Sequence, residues 1–332
     1  MNSYDYAIEE GGTFADDTRR IAAGEQVADF QSIFAKLMAL VRGDFDGALA
    51  LLLKIVAVSI LFAVLTNMQQ ELGAQSIRNT VFFVCYGVLC TLSVEAFSEA
   101  IVTFEAAVGS AIVFINGSVP ILAGLLLSGG KPLVAAGVQP VIFAGCVLLS
   151  NAVRFVVVPL LYCSFMLDAV SGISRTVSVG ALAVLLKKLT RWVLCLLLTV
   201  FTGLLVVRGF GAGALDALSA KTSRYIVANS VPVVGGILTD TLDTVVTSAR
   251  VVLQATGVAG MLALFGICLA PIVKIGVYSL MFHLAAAVVE PVADKRIFSV
   301  VQAAAGALAT MVGVLCAVFV MLIICITMLM RV

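Results

Sequence analysis

The chain has 332 residues, 62% hydrophobic and 12% charged, with a net charge of +1 and a mean hydropathy of +1.16. Soluble domains are about half apolar and about a quarter charged, so a water-soluble protein is excluded. This is the composition of a polytopic α-helical membrane protein whose first partner is the lipid bilayer, and nothing in it points to a nucleic acid.

Residues 1–46 differ from the rest, with nine Asp and Glu against four Lys and Arg. Phe30, Ile33, Phe34, Leu37, Met38 and Val41 recur at three- and four-residue spacing, which draws one apolar face on a helix. That helix reads as packed on the membrane domain or as a surface for a partner. No basic stretch leads into a short apolar core, so no signal peptide is read here.

Apolar runs fill the remainder, and about 20 residues of helix cover a hydrocarbon core of about 30 Å. Gly47–Thr66 is the first span, carrying Lys54, and Thr80–Val102 the second, with Glu95 and Glu99 toward its end. Ala106–Leu127 is a third, interrupted by Asn116, Gly117 and Pro120. Leu133–Leu167 holds Pro140, Asn151, Arg154 and Pro159; it reads as two spans or as one broken at membrane depth. Trp192–Val207 is short, and a polar interval over Arg208–Gln254 follows. Thr256–Glu290, with Pro271 and Lys274 in its middle, is overlong, and Phe298–Met330 closes the chain. The expectation is an all-α transmembrane bundle of about seven or eight crossings with proline-broken spans. A β-barrel would need short alternating strands, and these runs are continuous.

Arg175, Lys187, Lys188 and Arg191 cluster beside Trp192, the sole tryptophan, and this basic segment is expected on the cytoplasmic side. The eight cysteines all fall within apolar runs without a Cys-x-x-Cys pair, and there is one histidine, His283. Neither a disulfide framework nor a zinc site is expected, and the thiols read as small apolar residues.

Ser118-Val119-Pro120-Ile121-Leu122-Ala123-Gly124 is echoed by Ser230-Val231-Pro232-Val233-Val234-Gly235-Gly236, an offset of 112 residues. The same offset carries Gly145 onto Gly257 and Pro159 onto Pro271. Proline and glycine answer to backbone requirements, so these matches suggest an internal repeat, inverted if each unit has an odd number of crossings. The organisation is then 1–46 acidic region, 47–117 N-terminal spans, 118–229 first unit and 230–332 second unit. Ile237–Gln254 is amphipathic and is expected on a surface or lining an aqueous cavity.

No catalytic constellation is found. Gly124–Lys131 approximates a phosphate loop, but its spacing is one residue too long and Pro132 replaces the required Ser or Thr. No cofactor, metal or enzymatic activity is expected. Ionisable residues inside spans are the better clue, since each costs about 2.5–3.5 kcal/mol at the bilayer centre. Lys54, Glu95, Glu99, Arg154, Lys274 and Glu290 are the candidates, read either as a polar pathway or as snorkelling and structural pairing.

The stretch Ser230-Val-Pro-Val-Val-Gly-Gly236, Thr239-Asp240, Asp243-Thr244, Gly257-Val-Ala-Gly260, Ala270-Pro-Ile-Val-Lys274 and Ala286-Ala-Val-Val-Glu-Pro291 resembles the stage III sporulation protein AE family. The likeness extends more loosely to residue 47. It implies a multi-spanning component of the mother-cell membrane around the engulfed forespore. Its implied partners are other sporulation operon membrane proteins, a secretion-type ATPase and a forespore-side channel protein, with a homo-oligomer also open. Family members usually begin with a cleaved signal sequence. The function expected is a permease-like core subunit of that channel; a non-conducting scaffold and a self-sufficient secondary transporter are the alternatives. Pro120, Gly124, Pro159, Pro232, Gly235, Gly236 and Pro271 are the candidate hinges, with Arg154, Asp240, Asp243 and Lys274 supplying polarity along a pathway.

Overall fold

The computed structural model describes residues 45, 47–65, 75–171, 180–230, 235–291 and 294–331, which are helical apart from short turns. The elements are α1 (Gly47–Leu65), α2 (Gln75–Ser128), α3 (Pro132–Ala152), a π-helical segment (Val153–Val157) and α4 (Val158–Ser171). They continue with α5 (Gly180–Ser230), α6 (Gly235–Val289) and α7 (Lys295–Arg331). Among the described residues six helical stretches are long and apolar enough to cross a membrane, α3 and α4 forming one of them. The all-α bundle expected from the sequence is the fold observed. The amphipathic helix expected in the N-terminal region, and Pro232, lie outside the described residues.

The helices are longer than the apolar runs suggested. Thr80–Val102 and Ala106–Leu127, read as separate spans, belong to α2, which has 54 residues. At a rise of 1.5 Å per residue α2 is about 80 Å long. Nothing between the two runs breaks a helix: Glu105 is a good helix former, and Thr103 folds its hydroxyl back onto the Glu99 carbonyl at 3.0 Å. Likewise α5 continues past Val207 through Ala- and Leu-rich sequence to Ser230, where a polar interval was expected.

The helices run through Pro120, Pro140 and Pro271 without interruption. At Pro159 the winding changes. The Val158 N–H bonds to the Val153 carbonyl five residues back, closing a π turn. Proline has no N–H and its ring crowds the carbonyl four residues earlier, and the wider turn relieves both. The break expected within Leu133–Leu167 is this π turn, and Arg154 lies on it.

The α2–α3 connection is built from local chemistry. The Lys131 N–H reaches the Leu126 carbonyl at 3.0 Å and the Gly130 N–H reaches Leu127 at 3.1 Å, with Gly130 at φ 76°. This is a Schellman stop, which needs a left-handed residue, and Pro132 then opens α3 where its missing N–H costs nothing. The Gly124–Lys131 stretch is therefore a helix end and not a phosphate cradle.

Two antiparallel pairs organise the bundle, α3–α4 against α5 and α6 against α7, with α2 packed along α3, α6 and α7. Each pair has a close approach at a glycine. A Cβ on Gly145 would lie 1.8 Å from the Phe201 ring, and one on Gly257 would lie 2.4 Å from Met330 Cγ. These glycines are the pair related by the 112-residue offset. The core is continuous and dominated by large side chains, among them Phe97, Phe104, Phe165, Phe282, Leu161 and Leu308.

Candidate functional site: a charged layer at mid-height

A chain of contacts places residues of α1, α2, α4, α5, α6 and α7 at a common height. On α2, Phe97 stacks on Phe165 of α4 with centroids 4.5 Å apart and meets Tyr162 edge-on at 5.5 Å. One half-turn along α2, Glu99 forms an ion pair with Lys274 of α6 at 2.9 Å and accepts a 3.5 Å hydrogen bond from Tyr278. The Tyr278 hydroxyl lies 3.7 Å from where a Cβ of Gly47 would be, which brings the start of α1 to the same level. Ser279 donates to the Ala305 carbonyl of α7 at 3.3 Å. Next to it, Gly306 leaves room for Lys187 of α5, whose Nζ pairs with Asp168 of α4 at 2.5 Å.

The Asp168 and Lys187 side chains are only 16% and 15% exposed. Two opposite charges at that depth attract strongly, and each also removes the other's uncompensated desolvation cost. The Glu99–Lys274 pair is more open, at 51% and 29%. Around this layer the outward faces carry Glu95 and Glu105 on α2 and Lys188, Arg191 and Trp192 on α5, all exposed. Trp192 is 73% exposed.

Below the layer α2, α3 and α6 carry long stretches without charge, while Arg154 on the π turn and Arg208 on α5 stand at exposed positions. Residues 106–127 of α2, all of α3 and residues 251–273 of α6 contain no Asp, Glu, Lys or Arg. Each stretch of about 22 residues spans about 33 Å. At its far end Asp216 of α5, 3% exposed, accepts the backbone N–H groups of Leu133 and Val134 at 3.1 and 2.9 Å. It caps the N-terminus of α3 from another helix, satisfying donors that α3 itself cannot. Lys131 and Arg250 stand nearby; burial and the Arg250 charge pull the Lys131 pKa down, and Asp216 opposes them.

The expected site residues fall into separate groups. Lys274 is tied into the charged layer, with Pro271 one turn away on α6. Arg154 and Pro159 sit at and just after the π turn, both exposed. Pro120 and Gly124 face outward on the charge-free part of α2. Gly235 and Gly236 open α6, with Asp240 and Asp243 in its first turns. The Ile237–Gln254 stretch is thus the first part of α6, exposed at Val245, Val251 and Val252. Sequence reading missed three participants. Asp168 and Lys187 lie 19 positions apart around a helix reversal, and Asp216 caps residues 83 and 82 positions away. An acid late in one apolar run facing a base early in the next was the available signal for the first pair.

An all-helical bundle with six apolar stretches of membrane-spanning length is a multi-pass membrane protein. The chain belongs to the stage III sporulation protein AE family, whose description matches residues 13–332. It is 29% identical over 262 residues to the stage III sporulation protein AE of Bacillus subtilis (strain 168). That match covers 79% of this chain and 64% of the relative, so the chain spans somewhat under two thirds of the relative's length. No solved structure matches it.

Proposed function

We propose that the chain is a permease-like core subunit of a sporulation conduit between mother cell and forespore, seated in the mother-cell membrane around the forespore. It works there with other sporulation operon membrane proteins, a secretion-type ATPase and a forespore-side channel protein. The family membership and the relative's name support the sporulation context. The charged layer carries the transport reading: Glu99, Asp168, Lys187 and Lys274, on four helices, form two ion pairs at one height of an otherwise apolar bundle. The bilayer surrounds the charge-free stretch below the layer, so the layer and Trp192 stand at one membrane surface. A duplicated unit of 112 residues would give such a subunit two related halves.

At the height of the layer the interior is filled by Phe97, Phe165 and Phe282, each fully buried. A passage therefore runs along the outside of a protomer, between it and its neighbours. This argues against a self-sufficient transporter, whose site would lie within one chain. The same packed core favours a second reading, a non-conducting scaffold whose charges hold helices in register. Arg154→Leu and Lys274→Leu separate the two. A conducting subunit should still assemble with its partners in these variants while solute passage into the forespore is blocked. Unchanged passage, or loss of assembly, would favour the scaffold.

A further inference from the structure

The outward stripe of α2 runs Val84, Val88, Glu95, Val102, Glu105 and Val113, exposed at each position. Over about 44 Å it is apolar, then acidic at Glu95 and Glu105 with Val102 between them, then apolar again. A bilayer has the opposite order, polar at its edges and apolar within, so it cannot cover this stripe along its length. On α5 the outward stripe has the same pattern with the other sign: Leu185, then Lys188 and Arg191, then Leu196, all exposed.

The two stripes stand at the same height but on different sides of the protomer. Phe97 of α2 stacks on Phe165 of α4, and Asp168 of α4 pairs with Lys187 of α5, so α4 stands between α2 and α5. Neither the Glu99–Lys274 nor the Asp168–Lys187 pair engages Glu95, Glu105, Lys188 or Arg191.

We propose that copies of this chain associate side by side, the acidic stripe of α2 on one copy against the basic stripe of α5 on the next. The occupant is a second copy because the exposed acids and the exposed bases stand at one height and are opposite in sign, and both are on every chain. Such contacts are heterologous, with different patches meeting, so they propagate into a ring if the rotation closes. The proposal goes beyond the conduit reading and stands whether or not the assembly conducts.

The test is the mass of the full chain, purified in detergent and in nanodiscs, by native mass spectrometry, with helix content followed by circular dichroism. The unaltered chain should be multimeric. Glu95→Lys with Glu105→Lys, or Lys188→Glu with Arg191→Glu, should shift it to monomer at unchanged helix content. All four substitutions in one chain should restore the multimer, because each swapped stripe then meets its complement on a neighbour. A chain that is monomeric on its own, multimers indifferent to the swaps, or a fourfold variant that stays monomeric would each overturn the proposal. If the bases instead held anionic lipid headgroups, the α2 swap would leave the mass unchanged, which is the second of these outcomes.

Discussion

At the scale of single residues the Asp168–Lys187 pair makes the sharpest claim. Both side chains are mostly buried, so removing either strands a charge against apolar neighbours. Breaking a buried pair by one partner costs about 3–5 kcal/mol, while removing both with apolar replacements is often near neutral. Asp168→Leu and Lys187→Leu should each lower the unfolding midpoint in detergent. The double variant should recover most of the loss, giving a large coupling energy in the cycle. Equal, additive losses would mean the two groups act independently. Gly145 makes a steric claim of the same kind. A Cβ there would sit 1.8 Å from the Phe201 ring, far inside contact distance, and a packed aromatic cannot step aside cheaply. Gly145→Ala should cost about 1–3 kcal/mol, the range for overpacking. Phe201→Leu in the same chain should return part of it. At Gly257 the opposing group is the flexible end of Met330, and the same substitution should cost less.

At the scale of elements, apolar runs and their lengths were legible because helix burial in lipid demands them. Where helices ended was not. A charged residue at the close of an apolar run marks a change of surroundings, but the backbone hydrogen-bond ladder continues unless something stops it. Thus Glu95, Glu99 and Glu105 sit within α2, while the true stop is Gly129-Gly130 with Pro132 behind it. Among the described residues the helices continue through Pro120, Pro140 and Pro271, and at Pro159 the winding changes to a π turn. Asp216 shows why part of the site stayed hidden. Its partners are backbone donors at the start of α3, and no local pattern announces a cap delivered from a different helix. Losing a cap of this kind costs about 0.5–2 kcal/mol. Asp216→Ala should therefore destabilise the chain modestly. It should speed amide exchange at Leu133 and Val134 more than at Leu161 or Phe165, deep in α4. Uniform acceleration along α3 and α4 would show that Asp216 does not act as a local cap.

At the scale of the molecule the decisive quantity is length. Helices α2 and α6 have 54 and 55 residues, about 80 Å each, while a bilayer's hydrocarbon core is about 30 Å thick. A slab of that thickness cannot enclose the whole bundle, and the charged layer divides it unequally. On one side lie the charge-free segments of α2, α3 and α6, each about 33 Å long. On the other side α5 has only Gly180–Leu186 before Lys187, a length of about 10 Å that falls far short of a crossing. The lipid should therefore ring the first side. In nanodiscs examined by electron cryomicroscopy, the disc should surround residues 106–127 of α2 and 251–273 of α6, with Trp192 near one edge. A disc centred on the charged layer would put Asp168, Lys187, Glu99 and Lys274 at the bilayer midplane. That outcome would make the layer an intramembrane site, and would remove the reason for locating a passage at the membrane surface.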